Sequence, residues 1–166
     1  MNTDVGFEEF YRATRHRVVT VLYALCGDLT EAQDAAQEAY VRAWQRWRRI
    51  GEYGDPEAWV RTVGHRLLAN RWRKIRNGRL AYRRHGAAPA VGPPSEDTVA
   101  LVAALRQLPA EQREAVVLHH LADLSVAEIA AQTGVPTGTV KARLARGRKA
   151  LADLLGTTLP EEVSNA

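Results

Sequence analysis

Cysteine is almost absent from this sequence, since Cys26 is the only one among 166 residues. An intrachain disulfide is therefore impossible, and this scarcity is typical of proteins that work in a reducing compartment. No apolar run approaches the roughly 18 residues that a membrane-spanning helix needs. The N-terminal residues lack the basic start and the apolar segment of a secretion signal. We therefore expect a cytoplasmic protein with no membrane insertion.

Patterns typical of catalytic and metal sites are lacking as well. The five histidines are not spaced with cysteines or carboxylates in the way that metal ligands usually are. No carboxylate cluster, nucleophile–base pair or phosphate-binding loop can be recognised. The sequence thus predicts no catalytic residue, no metal, no cofactor and no enzyme. The alternative from the enzyme class is a helical nuclease that uses His119 and His120.

Positive charge is concentrated in one segment, although the formal net charge of the chain is only +4. Residues 41–84 hold thirteen basic side chains against three acidic ones, whereas residues 1–40 and 85–135 are acidic or balanced. Such clustering favours a polyanionic partner, most often nucleic acid. A solvated arginine-rich surface with no partner is the alternative interpretation.

Proline and glycine divide the chain into two blocks. Residues 86–95 hold three prolines and two glycines with no charge, which indicates an extended linker. Neither block shows the alternating β-branched runs of strands. We therefore predict an all-α protein with two small helical domains joined by a flexible linker. The predicted segments are residues 1–78 for the first domain, 79–97 for the linker, 98–156 for the second domain and 157–166 for a disordered tail.

The first block predicts three or four helices. The first ends at Gly27, and Thr30 with Gln33 has the spacing of a capping box at the start of the second. Pro56 suits the first turn of the third helix. This third helix has an apolar side, formed by Val60, Val63, Gly64, Leu67, Leu68 and Ile75. Its opposite side is rich in guanidinium groups and holds Thr62, Arg66, Ala69, Asn70, Arg73 and Arg76.

Two tryptophans, Trp59 and Trp72, interrupt the basic side of the third helix. Arginines can neutralise phosphates while neighbouring aromatic rings stack on unpaired bases, so this composition suits single-stranded nucleic acid. The alternative for both tryptophans is a place in the apolar core.

The second block has the spacing of a helix-turn-helix. Ser125 and Glu128 form a predicted capping box, and the positions of Ala130, Gly134 and Val140 are typical of the motif. The last helix has five positive and no negative charges over residues 141–151. Such a helix fits the major groove of DNA. Its outward side is predicted to carry Thr137, Gly138, Thr139, Ala142, Arg146 and Lys149, flanked by Lys141 and Arg143.

The two blocks together resemble one protein family. "GDLTEAQDAAQEAYVRAWQRW" and "GDPEAWVRTVGHRLLANRWRK" are similar to the core region of the small bacterial sigma factors of the extracytoplasmic-function (ECF) group. "LSVAEIAAQTGV" followed by "PTGTVKARLARGRKAL" resembles their C-terminal DNA-binding region. The likeness extends from about Phe7 to Leu155 and is greatest to the actinobacterial SigE-like subgroup.

This resemblance implies a function and a set of site residues. It implies a sigma factor that binds core RNA polymerase and directs promoter-specific initiation by recognising −10 and −35 elements. Residues implied to bind the clamp coiled coil of the largest polymerase subunit are Asp34, Gln37, Glu38, Arg42 and Trp44. Those implied for the −10 element are Trp59, Thr62, Arg66, Asn70, Arg73, Lys74 and Arg76. Those implied for the −35 element are His119, Thr137, Gly138, Thr139, Lys141, Ala142, Arg143, Arg146 and Lys149.

Further partners and alternatives follow from the same likeness. An anti-sigma factor that holds both domains is the expected regulator. The alternative function is a stand-alone helix-turn-helix regulator that binds duplex DNA without polymerase. The sequence also departs from the family pattern at two positions of the third helix. The family commonly has asparagine where this sequence has Arg66, and a larger apolar residue where it has Gly64. Ala142 and Ala145 stand where relatives often carry polar or larger side chains.

Overall fold

The computed structural model describes residues 3–78 and 92–156, and within these residues it contains helices and no strand. The chain divides into two units, Met1–Ser95 and Glu96–Ala166. The prediction of an all-α fold is therefore confirmed. The helices are α1 (Thr3–Cys26), α2 (Leu29–Gln45), α3 (Trp47–Ile50), α4 (Pro56–Arg76), α5 (Glu96–Leu105), α6 (Ala110–His120), α7 (Val126–Thr133) and α8 (Thr137–Leu155).

Most of the predicted linker and all of the predicted tail, residues 79–91 and 157–166, lie outside the described residues. Residues 92–95 are not helical, and α5 begins at Glu96, two residues before the predicted start of the second domain.

In the first unit α1, α2 and α4 pack against one another. Leu22, Val18 and Val60 are fully buried, and α2 contributes a row of small side chains to the same core. These are Ala32, Ala35, Ala36, Ala39 and Ala43. Small side chains let helix backbones approach closely, so α2 lies deep between α1 and α4 while its other side stays exposed.

The start of α2 differs from the prediction. The cap is Asp28, whose Oδ1 accepts a hydrogen bond of 3.1 Å from the backbone N–H of Glu31, and Thr30 lies inside the helix. The predicted capping box of Thr30 and Gln33 is therefore wrong. The reason is the left-handed backbone of Gly27 (φ 73°), which ends α1 abruptly and puts the next residue, Asp28, at the capping position.

An aromatic cluster forms where α1, α2 and α3 meet in the first unit. The ring of Trp47 in α3 lies 4.8 Å from that of Phe10 and 5.4 Å from that of Phe7, centroid to centroid. Tyr40 joins through Tyr11 at 4.9 Å, and its hydroxyl shares a buried hydrogen bond of 2.7 Å with Thr14 Oγ1. Burial raises the pKa of Tyr40 well above its ordinary value. The cluster thus holds α1, α2 and α3 together.

The second unit contains the predicted helix-turn-helix, formed by α7 and α8. Ser125 and Glu128 make the reciprocal capping box, Gly134 ends α7 with a left-handed backbone (φ 72°), and Val140 is 1% exposed. The side chain of Val140 thereby anchors α8 in the core. Pro136 is the N-cap residue of α8, where its missing N–H removes no helical hydrogen bond.

Candidate nucleic-acid and protein interfaces

The basic side of α4 is exposed as the periodicity predicts. The residues of α4 that are buried are Val60, Arg61, Gly64 and Leu68. The predicted residues exposed on the other side are Arg66, Asn70, Arg73, Lys74 and Arg76. Thr62 and Trp59 are half-buried at the N-terminal half of the same helix. An Nη2 atom of Arg73 donates a hydrogen bond to Oδ1 of Asn70, which orders part of this surface.

Two arginines that contribute to the charge of this segment do not lie on its surface. Arg61 is 9% exposed, on the buried side of α4. Arg71 is half-buried and its Nε lies 2.5 Å from Oε2 of Glu31, whose side chain is 2% exposed. The charge available to a partner is therefore lower than a count of the sequence indicates, because a sequence count does not separate buried from exposed guanidinium groups.

Trp72 lies at the surface and not in the core. Its side chain is 39% exposed, whereas Trp59 is half-buried. The core alternative is therefore excluded for Trp72. A partly exposed ring next to the exposed cation Arg73 suits stacking on an unpaired base.

Gly64 explains one departure from the family pattern. A Cβ atom built at this position would lie 2.7 Å from Cδ1 of Leu22, which is fully buried in α1. A larger side chain fits here only if the buried Leu22 side chain shifts, and such shifts are costly in a close-packed core. The glycine thus lets Leu22 of α1 pack directly on the backbone of α4.

The outer face of α2 carries all five residues predicted to bind a protein partner. Asp34, Gln37, Glu38, Arg42 and Trp44 are exposed. Glu38 and Arg42 form an ion pair of 3.0 Å along the helix, and Trp44 is 54% exposed. An exposed tryptophan surrounded by charged side chains has the composition of a protein interface, in which aromatic residues are enriched and the rim is polar.

Sequence reasoning missed Val41 on this face. Val41 is 42% exposed and lies between Gln37 and Trp44, where the three line a groove of about 330 Å³ with Phe7, Tyr11 and Tyr40. The signal was present, since Val41 is an apolar residue at helical spacing from Gln37 and Trp44 on the polar side of α2.

The outward side of α8 is largely as predicted. Its exposed residues are Thr137, Gly138, Lys141, Arg146 and Lys149, with Thr139 and Ala142 half-buried. The buried side is formed by Val140, Leu144, Gly147 and Ala152. Most of the predicted outward side of α8 is therefore exposed, and Thr139 and Ala142 lie at its edge with the buried side.

Arg143 and His119 have protein contacts that the sequence did not indicate. Nη2 of Arg143 lies 3.5 Å from Oε2 of Glu111 in α6, and the Arg143 side chain is 20% exposed. Nδ1 of His119 lies 2.8 Å from the backbone carbonyl oxygen of Leu124. Because a carbonyl only accepts, Nδ1 carries the proton in this contact. His119 therefore fixes the turn between α6 and α7.

Two findings concern other kinds of site. No group of three or more potential metal ligands occurs within the described ranges, 3–78 and 92–156. In that part of the chain no helix has both the length and the apolar composition needed to cross a membrane.

Each of the two units matches a known protein family region. Residues 10–78 match the family described as Sigma-70 region 2, and residues 98–151 match Sigma-70, region 4. The ECF RNA polymerase sigma factor SigE of Mycolicibacterium smegmatis is 33% identical over 97% of this chain, which spans 66% of that relative. SigL of Mycobacterium tuberculosis is 33% identical over 82% of both proteins. The SigE likeness agrees with the subgroup named from the sequence.

A solved structure gives the same fold. The sigma factor RpoE of Bartonella quintana, crystallised with the anti-sigma factor NepR, has a TM-score of 0.68 and 24% identity, covering 92% of this chain and 98% of that one. The fold, the two family regions in order and the relatives lead to one conclusion. The chain belongs to the ECF group of sigma-70 RNA polymerase sigma factors, proteins that give core RNA polymerase its promoter specificity.

Proposed function

We propose that this chain binds core RNA polymerase through α2 and directs initiation by holding the −10 element on α4 and the −35 element on α8. The domains proposed to carry these roles are residues 1–78 and 98–156, with 79–97 as linker and 157–166 as tail. One observation carries the proposal. Three exposed helix faces lie within the two matched family regions: a mixed apolar and charged face on α2 and a cationic face on α4 in region 2, and a cationic face on α8 in region 4.

The polymerase contact is proposed on the exposed face of α2. Val41 and Trp44 supply an apolar centre, and Asp34, Glu38 and Arg42 supply a charged rim. This arrangement is typical of protein interfaces, in which aromatic anchors are surrounded by polar residues. The clamp coiled coil of the largest subunit is the partner proposed for this face.

The −10 contact is proposed on the exposed side of α4. Separating the strands and flipping a base costs a few kcal/mol of stacking and pairing. Arg66, Arg73 and Arg76 are available for phosphates, while Trp72 offers a ring for a displaced base. These contacts offset only part of that cost, so binding energy from the polymerase and the −35 element is also needed.

The −35 contact is proposed on the N-terminal half of α8, inserted in the major groove. Arg146 and Lys141 are the exposed side chains that can hydrogen-bond to base edges, while Ala142 can contact only a thymine methyl group. Gly138 leaves the first N–H groups of the helix open to a phosphate. Arg143 contributes through its charge, and His119 contributes through the turn between α6 and α7 that it supports.

We further propose that the protein acts in the cytoplasm, is not an enzyme, and is controlled by an anti-sigma factor, as RpoE is bound by NepR. In the second unit, an apolar groove of about 280 Å³ lies between α5, α6 and α8. We propose that a helical segment of the anti-sigma factor binds in this groove. Leu121 and Leu155, which line it, are 37% and 47% exposed.

A mobility-shift assay with and without core polymerase tests the function against the stand-alone alternative. The proposal predicts a promoter complex with core polymerase present and none of comparable stability with the chain alone. Stable, sequence-specific binding of the chain alone as a dimer would support the stand-alone regulator and refute the proposal.

A further inference from the structure

The helix α4 is fixed to its neighbours near each end by an ion pair. In its first turn, Glu57 accepts hydrogen bonds from Nε and Nη2 of Arg17 in α1, at 3.1 and 2.8 Å. About four turns along, Arg71 meets Glu31 in the first turn of α2 at 2.5 Å. The pairs use different partner helices, so together they restrict both the tilt and the rotation of α4.

The two pairs differ in burial. The Arg17 side chain is 61% exposed, whereas the Glu31 side chain is 2% exposed and that of Arg71 is 28% exposed. An exposed pair contributes little because water screens it, but a buried carboxylate that loses its partner is strongly unfavourable. Loss of the Glu31–Arg71 pair is therefore expected to cost more than loss of the Arg17–Glu57 pair, because it leaves a buried carboxylate without its partner.

Arg71 is flanked in the chain by residues of the exposed basic side. Asn70 and Trp72 are its neighbours, and Arg73, which donates to Asn70, follows two positions later. A helix is rigid over such a distance, so a rotation at position 71 moves these three side chains together. The pair is thus placed where it can control the direction in which this surface faces.

We propose that the Glu31–Arg71 ion pair is a positioning element, which sets the rotation of α4 and thereby presents Asn70, Trp72 and Arg73 to the separated −10 strand. This inference rests on the proposed −10 role of α4. Glu31 and Arg71 act through their neighbours and do not contact DNA themselves. Misplacing contact groups by about 1 Å can reduce a rate by about a hundredfold, so loss of the pair affects strand separation more than binding.

The test uses holoenzyme reconstituted from core polymerase and the full chain. Glu31→Gln and Arg71→Met remove the pair, and Arg71→Lys retains the charge. Glu8→Gln is the matched control, because Glu8 pairs with Arg12 on the exposed side of α1. Strand separation is followed by 2-aminopurine fluorescence in the −10 element of the strongest promoter found by transcription in vitro. Core affinity and thermal unfolding are measured in parallel.

The expected result separates positioning from stability. Glu31→Gln and Arg71→Met slow strand separation about tenfold on duplex promoter, bind core normally and recover on a pre-melted template. Arg71→Lys retains most of the rate, and Glu8→Gln equals the wild type. Unchanged strand separation in both pair variants overturns the inference. Unfolding of both, or equal losses of core binding and strand separation, overturns it too, because the pair is then only a stability element.

A further variant distinguishes failure of this inference from failure of the proposed function. Arg73→Ala removes an exposed side chain of α4 and leaves Glu31 and Arg71 in place. If it slows strand separation while Glu31→Gln does not, the −10 assignment stands and the positioning role is wrong. If neither variant has an effect, the −10 assignment itself is wrong.

Discussion

Gly147 of α8 packs so closely against Val116 of α6 that a Cβ atom at position 147 would lie 2.7 Å from Cγ2 of Val116. The same atom would lie 3.2 Å from the backbone oxygen of Gln112. The β-branched Val116 side chain is buried, and a backbone oxygen cannot move independently of its helix. Gly147 thus determines how closely the predicted recognition helix lies on the rest of its domain.

We expect Gly147→Ala to destabilise the second domain by about 1–3 kcal/mol, because overpacking of this contact outweighs the gain in helix propensity. The measurement is urea unfolding followed by circular dichroism. A stability equal to or above that of the wild type would contradict the close packing.

Gly138→Ala is the matched glycine substitution in the same helix. Nothing lies within 4 Å of a Cβ atom there, so we expect stability to be unchanged or slightly increased. The added methyl group stands at the end of α8 proposed to receive a phosphate. We therefore expect weaker −35 binding by the holoenzyme, measured by fluorescence anisotropy on duplex DNA. Unchanged DNA affinity would remove Gly138 from the proposed contact.

Arg146→Ala removes the exposed guanidinium at the centre of the proposed −35 surface. If the contact is to a base edge, binding weakens by about 1–3 kcal/mol and discrimination at one base pair is reduced. Holoenzyme binding to matched and mutated −35 elements measures both. Arg148→Ala, on the opposite side of α8 beside the apolar groove, is the control and retains discrimination. Unaltered transcription with Arg146→Ala would show that the recognition side is wrongly assigned.

Glu38→Lys replaces the negative partner of the Glu38–Arg42 ion pair, on the exposed face of α2, with a positive side chain. Two cations then lie one turn apart, and we expect core polymerase to bind at least tenfold more weakly while circular dichroism stays unchanged. Glu8→Lys, which reverses the similar exposed pair on α1, is the control. Equal weakening by both variants would indicate a general charge effect and no specific docking.

Cys26 gives a prediction about pH. Burial raises the pKa of its thiol to about 12, and Sγ donates to the backbone oxygen of Asp28 at 3.2 Å. The folded chain thus holds this proton more tightly than the unfolded chain, whose thiol has a pKa of about 8.5. The resulting stability is complete below that value and is lost as the pH rises toward 12. The free energy of unfolding should therefore fall between pH 8 and pH 10. We expect this fall to be smaller in Cys26→Ser than in the wild type when both are measured by urea unfolding.

Thiol reactivity provides an independent check of the same group. At pH 8 we expect Cys26 to react slowly with a chromogenic disulfide in the native protein and fully after denaturation, because the thiolate is the reactive form. Rapid reaction of the native protein would contradict the raised pKa.

Patterns that depend on neighbouring residues could be predicted from the sequence. The capping box at Ser125, the turn at Gly134 and the burial of Val140 are local, and the structure confirms all three. The cap of α2 was mispredicted because Asp28 and Thr30 are both able to cap a helix. The choice between them depends on where α1 ends.

Features that depend on distant contacts could not be predicted. The Glu31–Arg71 pair joins residues forty positions apart, and a count of charges along the sequence does not show that the two side chains meet. The contact of His119 with the Leu124 carbonyl depends on the turn between α6 and α7. Trp47 in the aromatic cluster and Val41 on the α2 face likewise need the packing of helices to be known. Which of the predicted site residues bind DNA or polymerase stays a prediction.

The most direct measurement of the central claim is transcription in vitro with purified core polymerase on genomic fragments, with and without this chain. The account predicts that the chain associates with core enzyme and that transcripts begin at defined positions only when it is present. Failure to associate with core polymerase, or the same transcript pattern without the chain, would contradict the account.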